Sequence, residues 1–146
     1  MDWFLGFITA AALAIVGWFL TRLQRKVEKR DEQREAVAAL RFELESNLEW
    51  LEDILDSLNY LRDEAWVAMK NKGYISYIHS PIPLKVIEVY NQLHRLNEQL
   101  RRLKENKNVD NKPAETYREE LMVSIKELIK LLDTFYPEIG KNFQRT

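Results

Sequence analysis

LKVIEVYNQLHRLNEQLRRLK, residues 84–104, carries apolar side chains at Val86, Val89, Leu93, Leu96, Leu100 and Leu103. The steps are 3, 4, 3, 4, 3, so all six share one face of an α-helix and none of the two-residue alternation of a strand appears. The seam covers less than three heptads. That suffices for one limb of a helical hairpin and is short for an isolated coiled coil.

Working outward, GYISYIHSPIP (73–83) breaks the chain before this helix. Gly73 is a natural helix stop, and Pro81 and Pro83 cannot sit in a helix interior. Ser80 reads as an N-cap, with Pro81 at the first helical position. On the other side, NKNVDNKP (106–113) is a polar turn. A further helix is expected from about Pro113 to just before Pro137, with Tyr117, Leu121, Ile125, Leu128, Leu132 and Phe135 on one face and Met122 and Ile129 beside it. The tail from Glu138 offers Ile139 and Phe143 for packing back onto the helices.

Upstream, no Gly or Pro occurs between Gly17 and Gly73. Val37, Leu40, Leu44, Leu48, Leu51, Leu55, Leu58, Leu61, Ala65 and Ala68 follow steps of three and four, with Trp50 and Ile54 widening the face. This predicts one unbroken helix to about residue 72. Helices two and three, at ~1.5 Å per residue, cover only its distal half. Residues 43–64 hold eight carboxylates against Arg62, and residues 84–107 hold six cations against three anions. Antiparallel packing of helices one and two is expected to use that attraction for register, with leucine burial supplying the stability.

The N-terminus is of a different kind. Trp3 to Thr21, WFLGFITAAALAIVGWFLT, is 19 residues without a charge. As a helix it measures ~28 Å, close to a bilayer core of ~30 Å. Trp3 and Trp18, with Phe4 and Phe19, stand near the two ends, where amphipathic rings favour the membrane interfaces. A cleaved signal peptide fits poorly. Asp2 stands where such peptides carry Lys or Arg, and Ala12-Leu13-Ala14 lies inside the apolar run. Gly6, Ala10 and Ala14 recur every four residues, the spacing that lets another membrane helix approach. Arg22, Arg25, Lys26, Lys29 and Arg30 follow, against Glu28 alone. Basic flanks stay on the cytoplasmic side and can contact anionic head groups, so the expectation is N-terminus outside and residues 22–146 cytoplasmic, at the inner or plasma membrane. Residues 22–36, with Leu23 and Val27 as rare apolar positions, read as a polar stalk, either helical through propensity and i,i+4 pairs or interrupted by a bent or frayed joint.

The reading is therefore an all-α chain: a single transmembrane helix (1–21), a basic juxtamembrane stalk (22–36) and a cytoplasmic antiparallel three-helix bundle with a coiled-coil-like hairpin (37–146). With 22 basic against 23 acidic residues the net charge is −1, which argues against nucleic-acid binding by bulk charge. The absence of cysteine excludes disulfides, zinc knuckles and thiol nucleophiles. His94 has Asn91 and His79 has Ser76 three residues before it, so no Glu-x-x-His di-iron pattern occurs. Ser80 beside His79 is adjacency, not triad geometry. Phosphate-loop and dinucleotide glycine patterns do not occur. No catalytic, metal or cofactor residue is expected. The loop Tyr74–His79 is unusually apolar for a connection. Tyr74, Tyr77 and His79 are candidates for partner docking, against the plainer reading that the loop caps the end of the bundle. The function expected is that of a single-pass adaptor or accessory subunit. It works through membrane lipid and a protein partner, either a larger membrane complex or a second copy. The alternative is a sensor whose bundle binds a ligand and changes oligomerisation of the membrane helix.

Overall fold

The computed structural model describes the backbone of residues 2–106 and 110–139, and the side chains of residues 13–76, 78–106 and 110–139. The elements are α1 (Asp2–Trp50), α2 (Ile54–Ser57), α3 (Glu64–Asn71), a 3-10 turn (Tyr74–Tyr77), α4 (Ile82–Glu105) and α5 (Lys112–Phe135), with no strand among the described residues. The chain divides into two units, residues 1–35 and 36–146.

The first unit is helical. From Leu13 to Glu32 every described side chain is exposed. Among the described residues no helix is long and apolar enough to cross a membrane. The expected span, Trp3–Thr21, has its first ten side chains outside the described set, with Gly6 and Ala10 of the small-residue stripe among them.

The second unit is a helical bundle. Val37, Leu40 and Leu44 from α1 meet Val86, Val89, Leu93, Leu96, Leu100 and Leu103 from α4 and Leu121, Ile125, Leu128 and Leu132 from α5 in one core. The heptad positions of α4 are all buried, and α4 and α5 lie side by side. Leucine-sized burial at ~1.5–3 kcal/mol per side chain makes this seam the main stabilising contact. On α5, Phe135 stays exposed, where the sequence placed it on the apolar face. Ile139 is buried, while Phe143 lies outside the described residues.

Helix one does not run to residue 72. It ends at Trp50, without Gly or Pro. Glu52 N–H turns to Glu49 O at 3.3 Å, a tighter turn than the α-helical one before it. Leu58 takes the left-handed conformation (φ 50°) and donates its N–H to Ile54 O at 2.8 Å. Asp53, Ser57 and Asn59 in this stretch are residues whose short polar side chains compete with helical bonding. Residues 59–63 then run without regular structure into α3. The apolar stripe changes phase at this break: Trp66 and Met69 are buried in α3, while Ala68 is exposed.

Two asparagines hold the irregular segment. Asn97 Oδ1 accepts Leu61 N–H at 2.9 Å, and its Nδ2 donates to Leu61 O at 3.1 Å. Asn47 Oδ1 accepts Arg62 N–H at 2.9 Å, and its Nδ2 donates to Arg62 O at 2.8 Å. Successive backbone units thus bond in opposite directions, to α4 and then to α1, as a strand bonds to two neighbours. The Arg62 guanidinium also lies 4.6 Å from the Trp50 ring centre, pinning the returning chain to the end of α1.

Gly73 (φ 69°) ends the α3 segment as expected of a left-handed cap, and the 3-10 turn follows. The Ser80–Pro81 bond is cis, and Pro81, not Ser80, takes the N-cap position of α4. Three of the α4 cations expected to face the acidic 43–64 segment, Lys85, Arg101 and Arg102, pair with other carboxylates. Arg101 and Arg102 bond within α4 to Glu98, and Arg101 also to Glu105. Among the described residues, Arg41–Asp133 and Lys85–Glu127, both 2.8 Å, cross between helices, and His94 on α4 lies 3.6 Å from Asp63 of the acidic 43–64 segment. Geometry explains this: the α4 cations near its C-terminal end find carboxylates one turn away on their own helix.

Candidate functional site

The first candidate surface is the exposed apolar helix and its basic collar. Leu13, Ile15, Val16, Trp18, Phe19 and Leu20 are exposed, from 54% at Val16 to 72% at Leu13. They cover the helix circumference except an arc of about 140° lined by Ala14, Gly17 and Thr21, so no charged, water-facing side remains. Ala14 is exposed, and the space where Gly17 would carry a Cβ is open. Thr21 Oγ1 donates to Gly17 O at 2.8 Å, so its hydroxyl is satisfied within the helix. Arg22 lies 5.3 Å from the Trp18 ring centre, joining the last apolar turn to the first cation.

The collar is segregated by charge. At about 100° per residue, Arg22, Arg25, Lys26, Lys29 and Arg30 fall within an arc of about 140°, and Glu28, Asp31 and Glu35 lie opposite. The expected i,i+4 support is absent from the pattern. Arg22/Lys26, Arg25/Lys29, Lys26/Arg30, Glu28/Glu32, Arg30/Arg34 and Asp31/Glu35 are all like-signed. Oppositely charged residues occur at i,i+3 instead, as in Arg25/Glu28 and Lys29/Glu32. Like charges at i,i+4 cost an isolated helix tenths of a kcal/mol each. Such a helix gains from an anionic surface along one side.

The second candidate is the Tyr74–His79 loop. Tyr74 and Ile75 are half-buried and packed on the core, and Ile78 is buried. The His79 ring stacks on Phe135 (centres 5.8 Å apart) and leans on Tyr136 (6.0 Å). The loop therefore lies against the C-terminal end of α5. Lys72 Nζ stands 5.8 Å from the Tyr74 ring. The side chain of Tyr77 lies outside the described residues.

A third feature escaped the sequence reading. Glu43 is buried on α1; its carboxylate accepts Ala65 N–H at 2.7 Å and the Tyr90 hydroxyl proton. Burial pushes the Glu43 carboxyl up from its ordinary range, partly offset by these donors. Burial also raises the Tyr90 hydroxyl, with the Glu43 charge adding to it. Trp66 stacks on Tyr90, ring centres 5.3 Å apart. A groove of about 440 Å³ opens here, lined by Ala39, Phe42, Glu43, Ser46, Arg62 and Ala65. The available signal was Asn47: it stands three residues after Leu44 and four before Leu51, a polar residue in an apolar slot. Among the described residues no cluster of three or more His, Asp or Glu side chains is arranged to hold a metal. His94 Nε2 lies 3.6 Å from Asp63 Oδ2 at the surface. No protein-family model, curated protein or solved structure matches the chain.

Proposed function

We propose that the chain is a single-pass membrane-anchored adaptor or accessory subunit, acting through protein–protein contact without catalysis. The observation that supports this is the exposure of Leu13–Leu20 around the whole circumference of its helix. In water each large apolar side chain left uncovered forgoes about 1.5–3 kcal/mol. Lipid covers such a helix on every side, and the uncharged run from Trp3 to Thr21 has the length of a bilayer core. Arg22, Arg25, Lys26, Lys29 and Arg30 then lie at the anionic cytoplasmic surface, with the N-terminus outside. The bundle hangs from this anchor as the partner-binding part. Tyr74 and His79 serve first to close one end of it.

The test is membrane fractionation of the full chain. Retention in the pellet through alkaline carbonate and release by detergent is expected. A monodisperse protein in the supernatant without detergent refutes the anchor. Orientation is read separately in inverted vesicles, where protease should reach the C-terminal bundle. The sensor reading draws on the Glu43 groove and is favoured only if a small ligand shifts the melting of the bundle.

A further inference from the structure

Leu23 and Val27 are the only aliphatic residues between Thr21 and Val37 apart from Ala36, and both are exposed. An anchor has no use for them, since they lie beyond the uncharged run. Their register explains them. Leu13, Val16, Leu20, Leu23 and Val27 follow steps of 3, 4, 3, 4, all on described helix and all exposed, between 45% and 72%. At about 100° per residue they form one stripe about 80° wide. The stripe therefore crosses from the apolar helix into the charged stalk without changing face.

We infer that this stripe is a self-association seam: two copies of the chain pair in parallel through Leu13, Val16, Leu20, Leu23 and Val27. The inference rests on the membrane reading in one respect, since anchoring from the same side makes the copies parallel and in register. Charge points to a second copy as the occupant. In heptad terms Leu13, Leu20 and Val27 are a positions and Val16 and Leu23 d positions, which places Lys26 at g and Asp31 at the following e. In a parallel pair the g residue of one helix meets the next e residue of the other. Lys26 of each copy thereby faces Asp31 of its mate, twice by symmetry.

The outer side agrees. Ile15, Trp18, Arg22, Arg25 and Lys29 lie away from the stripe, toward lipid tails and then head groups. The next two seam positions are Arg30 and Arg34, which would bring like charges together across the pair. The seam accordingly ends at Val27, about two heptads in all.

The natural absence of cysteine makes the test direct. Single substitutions Val16→Cys, Leu20→Cys, Leu23→Cys and Val27→Cys, each in the full chain in vesicles of phosphatidylcholine with phosphatidylglycerol, are oxidised and run on a denaturing gel. Covalent dimer several-fold above that from Ile15→Cys, Trp18→Cys and Arg25→Cys is expected. Lys26→Glu in the Leu23→Cys background should lower the dimer fraction, and Lys26→Glu with Asp31→Lys should restore it. Dimer formed best through Ala14→Cys or Gly17→Cys overturns the seam in favour of the small-residue face. No dimer at any position, with the protein in the vesicle pellet, overturns it in favour of lipid or a different protein as the cover. Failure to pellet refutes the anchor instead, and the cross-linking pattern in solution still decides the seam.

Discussion

At the scale of single residues, Asn47, Asn97 and Glu43 organise a segment with no helical or sheet partners of its own. Each bonds backbone groups between Leu61 and Ala65. Backbone polar groups left without partners cost about 1–3 kcal/mol each, so Asn47→Ala should lower stability by about 1–3 kcal/mol in a urea titration. An exposed substitution such as Glu49→Ala should leave the midpoint nearly unmoved. Glu43 couples the same place to pH. Its carboxyl is raised in the folded state, chiefly by burial, so it holds its proton more tightly folded than unfolded. Its contribution is complete below about pH 4.5 and is lost as pH rises through the higher folded value. The amide of Glu43→Gln removes that loss and still bonds Ala65 N–H. Glu43→Gln should therefore gain on the natural chain as pH rises toward neutrality, with the gain vanishing below about pH 4.5, as read from urea midpoints along a pH series.

Among the elements, α4 is the one whose role was most legible. Its six heptad residues were read from spacing, and all six are buried. Leu96→Ala opens a cavity between α4 and its neighbours and should cost about 2–5 kcal/mol. Leu84, 73% exposed on the same helix, should tolerate Ala within about 0.5 kcal/mol. Chemical denaturation of the two variants checks both. The end of α1 was not legible. Glu, Leu, Asp and Ser around residue 52 carry no strong stop signal, and the 3/4 spacing of Leu51, Leu55, Leu58 and Leu61 imitates a continuing helix. The stop comes from contacts remote in sequence: Asn97 to Leu61 and Tyr90 to Glu43. Gly73 and the prolines near residue 81, by contrast, act through their own backbone limits, and their break was readable.

Across the whole molecule, the described core cluster begins at Ala36. A chain lacking residues 1–33 is expected to keep the melting transition of the bundle, followed by far-ultraviolet circular dichroism, and to lose association with vesicles. Loss of the cooperative transition would show that the bundle depends on the N-terminal helix. The charged collar adds a salt dependence: binding of the full chain to anionic vesicles should exceed binding to neutral ones at low ionic strength and approach it at high salt.

Helical class, the α4 and α5 faces, the break at Gly73 and the apolar N-terminal run were all available from spacing and composition. The reason is that periodicity and backbone restriction are local properties, repeated every few residues. The end of helix one, the asparagine clamps on Leu61 and Arg62, the buried Glu43–Tyr90 pair and the choice of ion-pair partners came only with the folded chain. Each joins residues far apart in sequence, and a polar side chain that caps a distant backbone looks, in a linear string, the same as one that faces water.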